Sequence, residues 1–178
     1  MRVGKGFPAR TATHLVQFFG SDQESLVRKV SSFLSEALQS GGSAIVIAGP
    51  ERREALVRSV GDVRVTYLDA REMLAHFMVD GRPHAGFFDA FVGRMVRAHA
   101  HPGPLHAYGE MVGYLWTEGR RDAALELEEL WNGLLANARF ALYCGYPIAH
   151  DESTERIIAA HTECVGLAGV PLRSLSPS

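Results

Sequence analysis

The sequence predicts a single α/β domain of three layers, a mainly parallel sheet flanked by helices, and three observations carry that prediction. Short apolar runs alternate with helix-period stripes about five times along the chain. The run SAIVIA at 43–48 has no polar alternation, as expected of a parallel strand covered on both faces. The length, 178 residues, suits one domain with one core.

The first strand is predicted at 14–19 (HLVQFF), and Gly20, Ser21 and Asp22 break it and offer helix caps. In the helix that follows, Leu26, Val30, Phe33, Leu34, Ala37 and Leu38 share one stripe, and Gly41 and Gly42 end it. Pro50 suits the first turn of a helix running to about Val60. A strand at 63–68 comes next, and Asp69 is placed to cap a short helix carrying Met73, Leu74 and Phe77. Residues 81–83 read as a turn. Phe87, Phe88, Phe91, Val92, Met95 and Val96 then form one strongly apolar helix face, stopped by His101-Pro102-Gly103-Pro104. The segment 105–112 starts as a strand, and one long helix follows with Asp122 as its cap. Leu127, Leu130, Trp131, Leu134 and Leu135 are its apolar stripe, which leaves Glu126, Glu128 and Glu129 mostly on the wet side. The last clear strand is 140–146, a terminal helix covers 153–165, and an edge strand is expected at 170–172. The domain proper is 14–172, with mobile ends at 1–13 and 173–178.

Composition excludes several classes of function. Net charge is −2 and no basic run exists, so direct nucleic-acid binding is not expected. Two cysteines, Cys144 and Cys164, make no disulfide framework. The basic N-terminus lacks an apolar core of the secretory kind, and no apolar stretch approaches the ~20 residues of a membrane span. A cytoplasmic protein without membrane contact is the expectation.

Enzyme chemistry finds little support. The turn after the first strand reads GSDQES, without GxxxxGK[ST], and Asp22 and Glu24 would repel a polyphosphate. No GxSxG elbow exists. Cys144 reads either as a small apolar core residue or as a strand-end thiol facing a pocket. His161 and Cys164 form H-x-x-C within the expected last helix and would face the same way. With His14 and Cys144 they make a donor set suited to zinc or another borderline metal, although no CxxC pair is present. His76, His84, His99, His101 and His106 follow no ligand spacing and read as surface or turn residues. Glu110, beside Gly109 at a strand end, is expensive to bury unpaired. It reads as a cap, as the partner of an arginine, or as the polar anchor of an otherwise apolar pocket.

The segments HLVQFF, SAIVIAGPERREAL, YLDAREMLAHFMVDGRP, YGEMVGYLWTEGRRDAALELEELWN and FALYCGYP, in this order, resemble the MEDS domain family. That sensory domain is typified by the dichloromethane-metabolism repressor of methylotrophs, and the resemblance spans roughly residues 12–166. It implies a RecA-like or KaiC-like fold without a working phosphate loop. It further implies a sensor of small organic molecules such as hydrocarbon derivatives, joined or docked to DNA-binding, histidine kinase or anti-sigma modules. The family's N-terminal histidine maps to His14, its strand cysteine to Cys144 and its GEM glutamate to Glu110; the first two are implied ligand- or metal-contacting positions. The sequence departs from the usual arrangement in carrying neither a helix-turn-helix nor a kinase block, so repressor activity does not carry over.

The expected function is therefore non-enzymatic sensing of a small organic ligand at the carboxyl edge of the sheet. His14, Gln17, Phe19, Tyr108, Glu110, Cys144 and Tyr146 are the expected contacts, and a kinase, anti-sigma or transcription factor partner reads the change. No cofactor is required. A bound metal at His14, Cys144, His161 and Cys164 belongs to a metal- or redox-sensing alternative. A ligand-independent docking protein using the acidic ELEELW segment is another alternative, and a homodimer is compatible with all of them.

Overall fold

A computed structural model of the chain describes residues 13–166. The expected segments 1–13 (all but Thr13), 170–172 and 173–178 lie outside the described residues. Six parallel strands form one sheet: β1 (His14–Phe18), β2 (Ser43–Ala48), β3 (Val65–Asp69), β6 (Leu105–Gly109), β7 (Ala141–Tyr146) and β8 (Glu163–Cys164). Their order is β3-β2-β6-β7-β1-β8. A hairpin of β4 (Met78–Val79) and β5 (Arg82–Pro83) stands apart.

Helices α1 (Gln23–Gln39) and α2 (Pro50–Val60) cover one face. Leu26, Val30, Leu34 and Leu56 pack there on Val46, Tyr108 and Tyr143. The other face carries α3 (Ala70–Phe77), α4 (Ala85–Phe88), α5 (Arg94–His99), α6 (Met111–Thr117), α7 (Arg121–Asn137) and α8 (Glu155–Ala159). Leu74, Phe77, Leu127 and Trp131 pack there on Ile45, Ile47 and Leu142. Right-handed crossovers require this split. The steps β1 to β2 and β2 to β3 run one way along the sheet, and the later steps run the other way. At the β2/β6 and β7/β1 borders, neighbouring strands consequently send the chain to opposite faces, which opens a crevice at their carboxyl ends.

The local chemistry follows the sequence in several places. Asp22 caps α1 through Ser25 N, and Asp69 caps α3 through the amides of Arg71 and Glu72. Pro50 opens α2, which ends at Val60 before Gly61 in the left-handed region. Among the described residues, no helix is long and apolar enough to cross a membrane.

Other expectations need correction. Strand β3 begins at Val65, because Asp62 ties back to Arg64 N and leaves Val63 fully exposed. The turn at 81–83 is part of a hairpin whose corner residues Asp80 (φ 48°) and Gly81 (φ 81°) are both left-handed, the geometry that suits strand twist. The apolar face of 87–96 is divided: a π segment, Asp89–Gly93, joins α4 to α5 and aligns Phe88, Val92 and Val96 inward, while Phe87 and Phe91 are exposed. The long helix expected behind Asp122 is α7, with Arg120 as its cap residue, and a separate helix, α6, precedes it across a break at Gly119 (φ 77°). The terminal helix is short: Glu152–Thr154 forms a 3-10 turn, α8 stops at Ala159, and β8 pairs with β1.

Candidate functional site

Register decides which strand side chains share a side. His14, Val16 and Phe18 of β1 pair with Leu142, Cys144 and Tyr146 of β7. In a parallel sheet such partners point to the same face, here the one covered by α7 and α8. His14 and Cys144 meet under Glu128 of α7 and His161 of the loop after α8, all four buried. His14 Nε2 lies 3.4 Å from Cys144 Sγ and 3.3 Å from Glu128 Oε2. His161 Nε2 lies 3.3 Å from Glu128 Oε1, and Cys144 Sγ donates to Glu128 Oε2 at 3.8 Å. Tyr146 donates its hydroxyl to Glu128 Oε1 at 2.7 Å.

Both imidazoles are oriented from behind. His161 Nδ1 donates to the carbonyl of Ile157 at 2.6 Å, and His14 Nδ1 donates to Asn132 Oδ1 at 2.9 Å. Asn132 is turned that way because its Nδ2 donates to the carbonyl of Ala160. Each Nε2 therefore points at the centre, the arrangement by which carbonyl groups orient metal-ligating histidines. His161 Nε2 is buried without a hydrogen-bond partner among the described residues. Candidate donor atoms of the four residues all lie within 4.8 Å of one another. Zinc held by nitrogen at about 2.0–2.1 Å and sulfur at about 2.3 Å separates tetrahedral donors by about 3.3–3.8 Å. The donor set and its spacing thus fit a borderline divalent ion.

The electrostatics agree. Burial alone would raise the Glu128 carboxyl, but the charge of His161, 3.3 Å away, and the contact with His14 override it and hold Glu128 well below the usual carboxylate range. Burial, then the Glu128 charge, pushes the Cys144 thiol and the Tyr146 hydroxyl well up.

The opposite face holds a second feature. A cleft of 1040 Å³ opens between α1 and α2, beyond the carboxyl ends of the strands. At its floor Glu110 Oε1 accepts from Arg52 Nε and from Tyr108 OH, both at 2.8 Å, and Oε2 accepts from Gly49 N at 3.2 Å. Burial and the Glu110 charge push the Tyr108 hydroxyl well up. The guanidinium of Arg52 stacks over Phe19 at 5.0 Å and donates to Gln23.

The expected contact set is thus divided by the sheet. His14, Cys144 and Tyr146 join the sealed cluster. Phe19 and Glu110 line the cleft, and Tyr108 lies beneath Glu110. Gln17 joins neither, since its side chain accepts from Tyr143 OH at 2.5 Å inside the α1 face. Of the expected metal donors, Cys164 is misplaced: it sits on β8 beside Val16, outside the four-residue group, because α8 ends before His161. Glu128 takes its place. The expectation of a solvated Glu128 fails because Ala124, Leu127, Trp131 and Leu135 bracket it on the buried stripe of α7. For the same reason only part of the ELEELW segment faces solvent: Leu127, Glu128 and Trp131 are buried, Glu126 is paired with Arg82, and Glu129 is exposed. His106 is not a turn residue either; it stacks on Phe33 at 4.4 Å.

No curated protein matches the chain. Residues 13–162 match the family described as MEDS, the methanogen/methylotroph DcmR sensory domain. With most of its length matched, and with a parallel sheet flanked by helices, the chain belongs to the MEDS family of sensory domains.

Proposed function

We propose that this sensory domain works through a transition-metal ion held by His14, Glu128, Cys144 and His161, with zinc or a chemically similar divalent ion as occupant. The observation that carries the reading is the convergence of two backed imidazoles, a carboxylate and a thiol, all buried, on one point. Soft and borderline donors select such an ion over magnesium or calcium. With four protein donors, all buried, the centre is suited to sensing and holding rather than to turning over a substrate. The ion would join β1, α7, β7 and the loop after α8, so its arrival changes how firmly the last segment docks, and a partner protein reads that difference.

Binding must displace the Cys144 proton, because the raised thiol is neutral at pH 7 in the ion-free protein. Affinity therefore rises with pH. Elemental analysis and cobalt substitution of the full chain test the proposal. We expect one ion per chain and a thiolate-to-cobalt charge-transfer band that vanishes in Cys144→Ser and persists in Cys164→Ser. A chain that takes up no ion, or a band that survives Cys144→Ser, overturns it.

A further inference from the structure

We propose that the cleft between α1 and α2 binds a small organic monocarboxylate, its charged end on Arg52 and its hydrocarbon body against Phe19, Val27 and Tyr114. This site lies on the other face of the sheet from the metal centre and does not depend on it.

The cleft stands at the strand borders where the chain leaves in opposite directions, and both borders contribute walls: Gly49 and Glu110 from one, Phe19 and Pro147 from the other. Its volume is at the upper end of the roughly 300–1,000 Å³ common for small-molecule sites. Apolar surface dominates, with Val27, Pro50, Ala55 and Pro147 among the walls.

The floor selects the sign of the ligand. Arg52 is 9% exposed, which is costly for a cation unless it is paired and used. Its Nε is bound to Glu110, one terminal nitrogen is bound to Gln23, and its face lies on Phe19, so the group cannot swing away. The other terminal nitrogen, Nη1, has no hydrogen-bond partner among the described residues and is left to meet a ligand. Glu110 already accepts three hydrogen bonds, from Arg52, Tyr108 and Gly49, and has little left to offer a cationic ligand. An anion is therefore the group the floor accepts, and a planar carboxylate suits a planar guanidinium.

The surroundings select the amount of charge. Arg28, Arg52 and Arg58 line the cleft with Glu24, Glu51 and Glu110, so the charges cancel. A polyphosphate gains nothing from a balanced lining, whereas a single charge on an apolar body loses little.

The test is calorimetry on the full chain with benzoate and hexanoate, their neutral amides, and inorganic phosphate. We expect the acids to bind at least tenfold more tightly than the amides, and phosphate not to bind. The double variant Arg52→Met/Glu110→Gln removes both charges together, so neither is left buried alone, and the acid-over-amide ratio should fall to near one. Ala55→Trp fills the cleft from its wall and should abolish binding of acids and amides alike while the melting temperature holds. Cys144→Ser should change none of this. Silence with every acid, equal binding of acid and amide to the wild type, phosphate binding as tight as the acids, or undiminished binding in Ala55→Trp would each overturn the proposal.

Discussion

The two faces of this sheet handle buried charge in opposite ways. Under α7 and α8, Glu128 is sealed and its partners are two imidazoles, a thiol and a phenol, all supplied by distant parts of the chain. Under α1 and α2, Glu110 meets one arginine, one phenol and one backbone amide at the rim of an open cleft. The first arrangement gathers lone pairs around a point, where the proposed ion would sit. The second neutralises its carboxylate with a guanidinium and keeps one donor in hand. A carboxylate on the inner side of a helix and a carboxylate at a strand end therefore mark two different kinds of site in one small domain.

The comparison is broken most forcefully at Glu128. Glu128→Ala strands two oriented histidines in a closed space and should cost about 3–5 kcal/mol in chemical denaturation of the ion-free protein. Arg52→Ala leaves Glu110 alone, but at a place water can reach, and should cost about 2–3 kcal/mol. Equal losses would mean that the cleft is as closed as the cluster. Acid gives a smaller but more specific effect. Glu128 is held below its ordinary value of 4.5, so its contribution is complete above that pH and is lost as the pH falls further. Denaturant midpoints of the ion-free protein at about pH 3 and pH 7 should therefore differ more for the wild type than for Glu128→Ala. The thiol acts in the other direction: Cys144 is raised above 9.0, so its contribution is present below that pH and is lost as alkali is added. The smallest effect is expected one residue away. Glu129 is exposed, and Glu129→Ala should change stability by no more than about 0.5 kcal/mol.

Much of the architecture is legible along the chain because it rests on short-range patterns. The apolar run of β2, the proline that opens α2 and the aspartates that cap α1 and α3 act within a few residues. Glu110 is legible too, since a carboxylate at a buried strand end needs a partner, and Arg52 is that partner. Glu128 is the instructive miss. Read as a charge it belongs in water, but Ala124, Leu127, Trp131 and Leu135 place its position on the inward stripe, and position outranks polarity when a partner waits inside. The H-x-x-C spacing fails for another reason. Whether His161 and Cys164 continue a helix depends on β1, whose His14 lies 148 positions before Thr162. No local pattern reports a strand added from so far away. The assembly of His14, Cys144 and His161 depends on the same long-range pairing, which sequence supplies only as a list of donors.

Strand β8 is only two residues long, and the turn before it is tied to the start of β1 by paired contacts: Thr162 N donates to the carbonyl of His14 at 2.7 Å, and His14 N donates to Thr162 Oγ1 at 2.8 Å. So short a strand has little grip of its own. The neighbouring side chains of His14 and His161 act as a clasp across this seam, and whatever fastens them also keeps the outer backbone row of the first strand covered. Unfastened, the hem of the sheet would loosen there before the rest of the domain gave way, turning an event at one buried point into a change of outline at the margin of the molecule.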